Sequence, residues 1–150
     1  MNKQWWNNYV GIPFLERGRT REGVDCWGLV WLVMRDEFAI DAPSYDDKYF
    51  STLDGVTIQG LMEREAVSWL KVDPGTEEPG DVISFAINGK YRHVGLVVRP
   101  GLMLHCEKGK DSVLEEYGRP GWVRRIRGIH RHYRMMEWSH TDIPKWEDGN

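Results

Sequence analysis

Only two cysteines occur in these 150 residues, Cys26 and Cys106, so no disulfide framework organises the chain. Long apolar runs are missing as well. No window approaches the roughly 18 apolar residues of a membrane span. The opening MNKQWWNNYVG has no apolar stretch followed by a small-residue cleavage site, so synthesis in the cytoplasm without a signal peptide is expected. Neither sign of charge dominates: 20 Lys and Arg against 23 Asp and Glu give a net charge of −3. No global field therefore attracts nucleic acid. There is no internal repeat and no low-complexity run.

What the chain does have is tryptophan, eight in all, within an ordinary 41% hydrophobic and 29% charged composition. Most of these rings are expected to fill a core, and Trp5, Trp6 and Trp122 are the candidates for a groove or interface. MNKQWWNNY reads as a short helix and GIPFLERGRTREG as a loop. Asp25 then stands as N-cap to CWGLVWLVMRDEF, with apolar residues at 29, 30, 33, 34 and 38 in helical spacing. This helix is apolar over much of its surface and is expected to be central. Gly28 within it implies close backbone packing. A surface loop over 41–52 and a second amphipathic helix over 55–70 are expected next. After DPGTEEPGD, the segments VISFAI, HVGLVV, LMLHC and SVLEEY read as an antiparallel meander, and WVRRIRGIHRHY as a further strand. Helices first and strands later make this one α+β domain over 1–134, with a polar tail over 135–150.

Thiol chemistry needs a nucleophile, a base and a group that orients the base. Cys26 lies in the first turn of the central helix, where the helix dipole favours thiolate. Of the five histidines, His93 opens one predicted strand and His105 closes the next. If RPG is their hairpin turn, the two become cross-strand neighbours. One nitrogen of His93 then meets Cys26 and the other meets His105; sequence does not say which. Cys106 follows His105, so strand alternation turns it away into packing, which also argues against a Cys26–Cys106 disulfide. The same alternation weakens a zinc reading of Cys26, His93, His105 and Cys106, and His130-x-His132 has no companions. No metal or other cofactor is expected.

GIPFLERGRTREGVDCWGLV, PGDVISF, RHVGLVV and LMLHC, in that order and spacing, resemble the NlpC-type papain-like cysteine peptidases over roughly residues 8–117. The resemblance implies a papain-like α+β fold with the nucleophile helix packed on an antiparallel sheet. It also implies Cys26 as nucleophile, His93 as general base and His105 as orienting group. Phe14, Asp25 and Trp27 fall at positions near substrate. The implied activity is hydrolysis of amide bonds in bacterial peptidoglycan stem peptides, typically between D-γ-glutamyl and a diamino acid. Two positions depart from the family pattern: Phe14 replaces a loop tyrosine and Trp27 replaces the serine after the cysteine. DCWG, GIPF and RGIHRHY look most like the branch found in tailed-phage tail-tip proteins and prophages. That likeness implies action at the cell envelope as part of a phage-like tail, with tail-tip proteins as partners. The alternative is a structural tail-assembly protein with a weak or inactive site, and a deamidase or acyltransferase is a third reading. The arginine-rich stretch 118–134 reads as a solvated edge strand, or as a contact for an anionic glycan or acidic partner.

Overall fold

The computed structural model describes residues 4–45, 68–87 and 91–137. The chain enters through a short 3-10 helix, Trp5–Tyr9, whose Trp5, Trp6 and Tyr9 are buried. The segment expected as loop contains a small antiparallel ribbon, β1 (Arg19–Thr20) and β2 (Gly23–Val24). Its turn-forming composition suits a tight hairpin as well as a loop.

Helix α1 spans Cys26–Phe38, capped by Asp25 and closed by Ala39 in the left-handed conformation. Leu29, Val30, Leu32, Val33, Met34 and Phe38 are all buried, so little of its circumference faces water. Gly28 is required by close approach: a Cβ there would lie 2.0 Å from the Gly18 carbonyl oxygen. The second expected helix, over 55–70, lies outside the described residues except at its end. There Trp69 and Leu70 belong to a strand, β3 (Trp69–Lys71), because they pair with the last strand of the sheet.

The other strands are β4 (Val82–Ile87), β5 (Tyr91–Arg99), β6 (Leu102–His105), β7 (Val113–Glu116) and β8 (Ile126–His132). A four-residue helix, α2 (Pro120–Val123), precedes β8. Among the described residues, β3 to β8 form one antiparallel sheet in the order β3-β8-β4-β5-β6-β7. The expected meander is therefore present. The arginine-rich stretch, however, is not an edge at its carboxy-terminal end: residues 130–132 of β8 pair with β3, and β4 lies on the other side of β8. One of its arginines explains part of the charge. Arg131 donates Nε and Nη2 to the two carboxylate oxygens of Asp81, each at 2.8 Å. The side chain of Asp81 is fully buried, so removing the guanidinium would leave an uncompensated charge.

Alternation gives the sheet two apolar faces. Val82, Val94, Leu96, Val98, Leu104 and Cys106 pack with α1 and the amino-terminal tryptophans. Ile83, Phe85, Ile87, Val97, Met103 and Ile129 pack with Trp122 and Tyr117 on the other side. The packing does not stop at residue 134: Met135 is buried and sits over Gly80 and Phe38, on the α1 face. The proposed boundary at 134/135 thus falls inside a core contact, since one long apolar side chain anchors the 3-10 turn Tyr133–Glu137.

Alanine normally favours a helix over glycine by about 1 kcal/mol. Gly28→Ala is expected to reverse that sign and destabilise the fold by about 3 kcal/mol through overpacking, measured by urea unfolding.

Candidate functional site

The site begins with the carboxylate of Asp25. Its Oδ1 accepts the Gly28 N–H at 2.7 Å and Arg19 Nη1 at 2.8 Å, while Oδ2 accepts the Arg17 N–H at 2.9 Å. Arg19 Nε in turn donates to the Ser44 carbonyl at 2.9 Å. One buried side chain thereby caps α1, ties the preceding hairpin to it and fixes where Cys26 starts. Phe14 runs beside this entrance, bridged to Val24, with the Leu15 N–H donating to the Val24 carbonyl at 2.9 Å. Trp27 points into the core between Trp69 and Tyr45 and donates Nε1–H to the Pro43 carbonyl at 2.9 Å. Of the three residues placed near substrate by resemblance, Asp25 and Trp27 thus have their polar atoms engaged within the protein, and Phe14 keeps partial exposure.

Cys26 is 2% exposed, and the backbone N–H groups of Val94 and Trp27 face its sulfur. The thiol therefore lies beside the peptide unit that joins His93 to Val94. Burial first, and then the neighbouring charge of Asp25, push the thiol well above its ordinary range; the two N–H groups and Arg19 oppose this. The helix-dipole expectation of a ready thiolate is thus outweighed by desolvation.

His93 and His105 lie on the sheet face turned toward Trp122. β5 and β6 pair Leu96 with Leu104, and extending that register sets His105 opposite Gly95, one diagonal step from His93. A Cβ on Gly95 would sit 2.5 Å from the sulfur of Met103, so a larger residue there would require the Met103 side chain to shift. His93 Nε2 meets His105 Nδ1 at 2.7 Å. That contact uses Nε2 of His93 and leaves Nδ1 outside it. Among the described residues the thiol makes no hydrogen bond to either imidazole. Burial, and then the proximity of His105, hold His93 far below its usual range. Burial also lowers His105, against the pull of its hydrogen bond to Glu115.

Two further residues join this chain of contacts: Glu115, absent from the sequence reading, and Trp122, which that reading held only as a candidate groove or interface ring. His105 Nε2 meets Glu115 Oε1 at 2.8 Å, and Trp122 Nε1 donates to Glu115 Oε2 at 2.9 Å. Burial would raise the Glu115 carboxyl, but the donors Trp122 and His105 outweigh it and keep it below the usual carboxylate range. The sequence does hold a signal for Glu115. β6 and β7 pair Met103 with Glu115 and His105 with Val113, so alternation sets Glu115 on the face of His105, one diagonal step away.

Cys106 lies on the opposite face, its sulfur near the carbonyls of Ile12, Val24 and Lys110. Both cysteines are free, and burial together with nearby acids pushes the Cys106 thiol up to about 12. The four-ligand zinc set is therefore not brought together. His105, Glu107 and Glu115 bring candidate ligand atoms within 4.8 Å of one another, yet His105 Nε2 and Glu115 already engage each other there. No helix among the described residues is long and apolar enough to cross a membrane.

The sequence profile of the NlpC/P60 family matches residues 11–131. The chain is 21% identical over 124 residues to the murein DD-endopeptidase/LD-carboxypeptidase MepS of Escherichia coli K12, covering 83% of this chain and 57% of that protein. It is 25% identical over 140 residues to the gamma-DL-glutamyl hydrolase of Bacillus subtilis 168, covering 91% of this chain but 29% of that one. An NlpC/P60 family protein from Bacillus cereus superposes with a TM-score of 0.62 at 20% identity, over 84% of this chain and 37% of the other. The NlpC/p60 domain of the peptidoglycan hydrolase SagA gives 0.55 at 17% identity, over 82% and 89%. Matched motifs from Gly11 through Arg131 and a shared α+β fold establish that this chain belongs to the NlpC/P60 family.

Proposed function

We propose that this protein is a cysteine peptidase that hydrolyses an amide bond in the stem peptide of bacterial peptidoglycan, between D-γ-glutamyl and a diamino acid. The observation that carries the reading is the 2.7 Å contact between His93 and His105 beside the helix-borne Cys26. Its support from outside the site is membership of a family whose relatives include a murein endopeptidase and a gamma-DL-glutamyl hydrolase. The chain spans only part of each.

In the resting site the thiol and both imidazoles are neutral. His93 Nδ1 takes the thiol proton as the sulfur attacks the amide carbonyl. The proton then passes to the leaving amine, and the carbonyl carbon stays bound to sulfur as a thioester. A water molecule, deprotonated by His93, attacks that carbon; sulfur leaves and recovers the proton, and a carboxylate is released. Backbone N–H groups near the start of α1, including that of Trp27, are the available donors for the developing oxyanion, since Phe14 offers no hydroxyl.

Delivery to the cell wall as part of a phage-like tail belongs to the same proposal, and rests on the DCWG, GIPF and RGIHRHY sequences. The second reading, a structural tail-assembly protein with a weak site, is favoured by one observation: Cys26 is 2% exposed.

Incubation with purified muropeptides, followed by mass spectrometry, is expected to show a cut after D-γ-glutamyl that Cys26→Ala reduces by at least about 1000-fold. Intact muropeptides together with capture of tail-tip proteins would favour the second reading. A separate experiment follows the alkylation of Cys26 against pH. With the folded thiol raised, its rate is expected to be low at pH 7 and still climbing past pH 9, above the ordinary thiol value of about 8.5. A fast plateau below pH 7 would show a preformed ion pair and contradict the neutral resting site.

A further inference from the structure

The contacts beyond His105 carry a direction, because each member of the chain constrains the next. Glu115 is held as a carboxylate, which only accepts hydrogen bonds. Its Oε2 is taken by Trp122 Nε1, a group that only donates, at 2.9 Å. Its Oε1 faces His105 Nε2 at 2.8 Å, so that nitrogen must carry hydrogen. In a neutral imidazole the other nitrogen is then a lone pair. His105 Nδ1 therefore accepts, and His93 Nε2, 2.7 Å away, must donate. The remaining nitrogen of His93, Nδ1, is left as the free base.

We propose that Glu115 and Trp122 are positioning residues that lock the tautomers of both histidines and so select Nδ1 of His93 as the base. Glu115 sets the orientation of the chain by accepting from His105. Trp122 makes that setting specific, because it demands an oxygen at one end of the residue-115 side chain. The indole ring also packs edge-on against His105, with ring centroids 5.1 Å apart, and lies 6.0 Å from the His93 ring. A protonated or donor-bearing group at Oε1 would turn around the hydrogen bonds from residue 115 to His105 and from His105 to His93, leaving that of Trp122 as it is.

Glu115→Gln isolates the effect. Trp122 still claims the amide oxygen, so the amide nitrogen faces His105 Nε2. That nitrogen becomes an acceptor, His105 Nδ1 becomes a donor, His93 Nε2 an acceptor, and His93 Nδ1 carries hydrogen. The base is then lost without loss of any hydrogen bond. Combining Glu115→Gln with Trp122→Phe frees the amide to rotate and present its oxygen to His105, which restores the original direction.

The proposal rests on the peptidase reading only for its consequence in catalysis, and the test separates the two. Histidine tautomers are read by 15N NMR on the full-length protein, independently of turnover. The wild type is expected to show hydrogen on Nε2 of both His93 and His105. Glu115→Gln is expected to move both to Nδ1, and the double variant to return both to Nε2. If Glu115→Gln leaves the two tautomers as in the wild type, the lock is refuted. If the double variant stays inverted, the role of Trp122 is refuted. In muropeptide hydrolysis Glu115→Gln is expected to lose about 100-fold or more in kcat, in the manner of a triad held in the wrong tautomer, with recovery in the double variant. Inverted tautomers alongside an inert wild type would instead refute the peptidase reading and leave the lock standing.

Discussion

The buried carboxylate of Asp25 is the contact on which the arrangement of the site depends. It accepts from the first turn of α1, from the guanidinium of Arg19 and from the backbone of Arg17. Cap, hairpin and the segment carrying Ser44 are thereby referred to one point. Because Gly28 lets the Gly18 carbonyl come against the helix, that point is reached at short range. The position of the sulfur one residue later follows from it. The same charge has an electrostatic consequence, for it stands next to the thiol and disfavours its ionisation. The residue that places Cys26 therefore also restrains its ionisation.

That restraint is matched across the sheet. His93 is buried and held neutral while Cys26 is buried and held protonated. A pair of neutral partners in a low-dielectric pocket is more stable than separated ions there. Chemistry at such a site proceeds when an incoming group supplies the polar contacts that the pocket withholds. The neutral state thus suits the proposed peptidase, in which the site would stay idle until a substrate carbonyl stood against the sulfur.

Most of the framework was legible because it rests on short-range patterns. The Asp25 cap, the apolar spacing of α1, the alternating strands and the RPG turn are each encoded within a few residues. The apposition of His93 and His105 followed from that turn and from period-2 alternation. What escaped the sequence depends on long-range partners. β8 reads like a charged edge, yet Arg131 finds Asp81 fifty residues earlier in the chain, and Trp69 finds His132. Met135 looks like the start of a polar tail until Gly80 and Phe38 are seen beneath it. Glu115 was missed for a similar reason: its partners, His105 and the indole of Trp122, lie on other elements, and strand alternation gives it away only once the β6–β7 register is known. Burial of Cys26 likewise emerges only when helix and sheet meet, and it reverses the electrostatic expectation drawn from the helix terminus.

The insertion of β8 between β3 and β4 has a consequence for how the molecule is made. β4, VISFAI, is buried along its whole length, and one of its two neighbours, β8, comes after every other strand of this sheet in chain order. Until residues 126–132 arrive, that apolar strand presents an open edge with unpaired backbone groups. The hairpins from β4 to β7 form from near neighbours, whereas β3–β8 and β4–β8 pairing requires closure of loops some forty to sixty residues long. Such non-local pairing is slow relative to local hairpin formation. A nascent or truncated chain therefore passes through a state whose central strand is competent to pair with another molecule. Pairing of β8 is thus what closes that edge of β4.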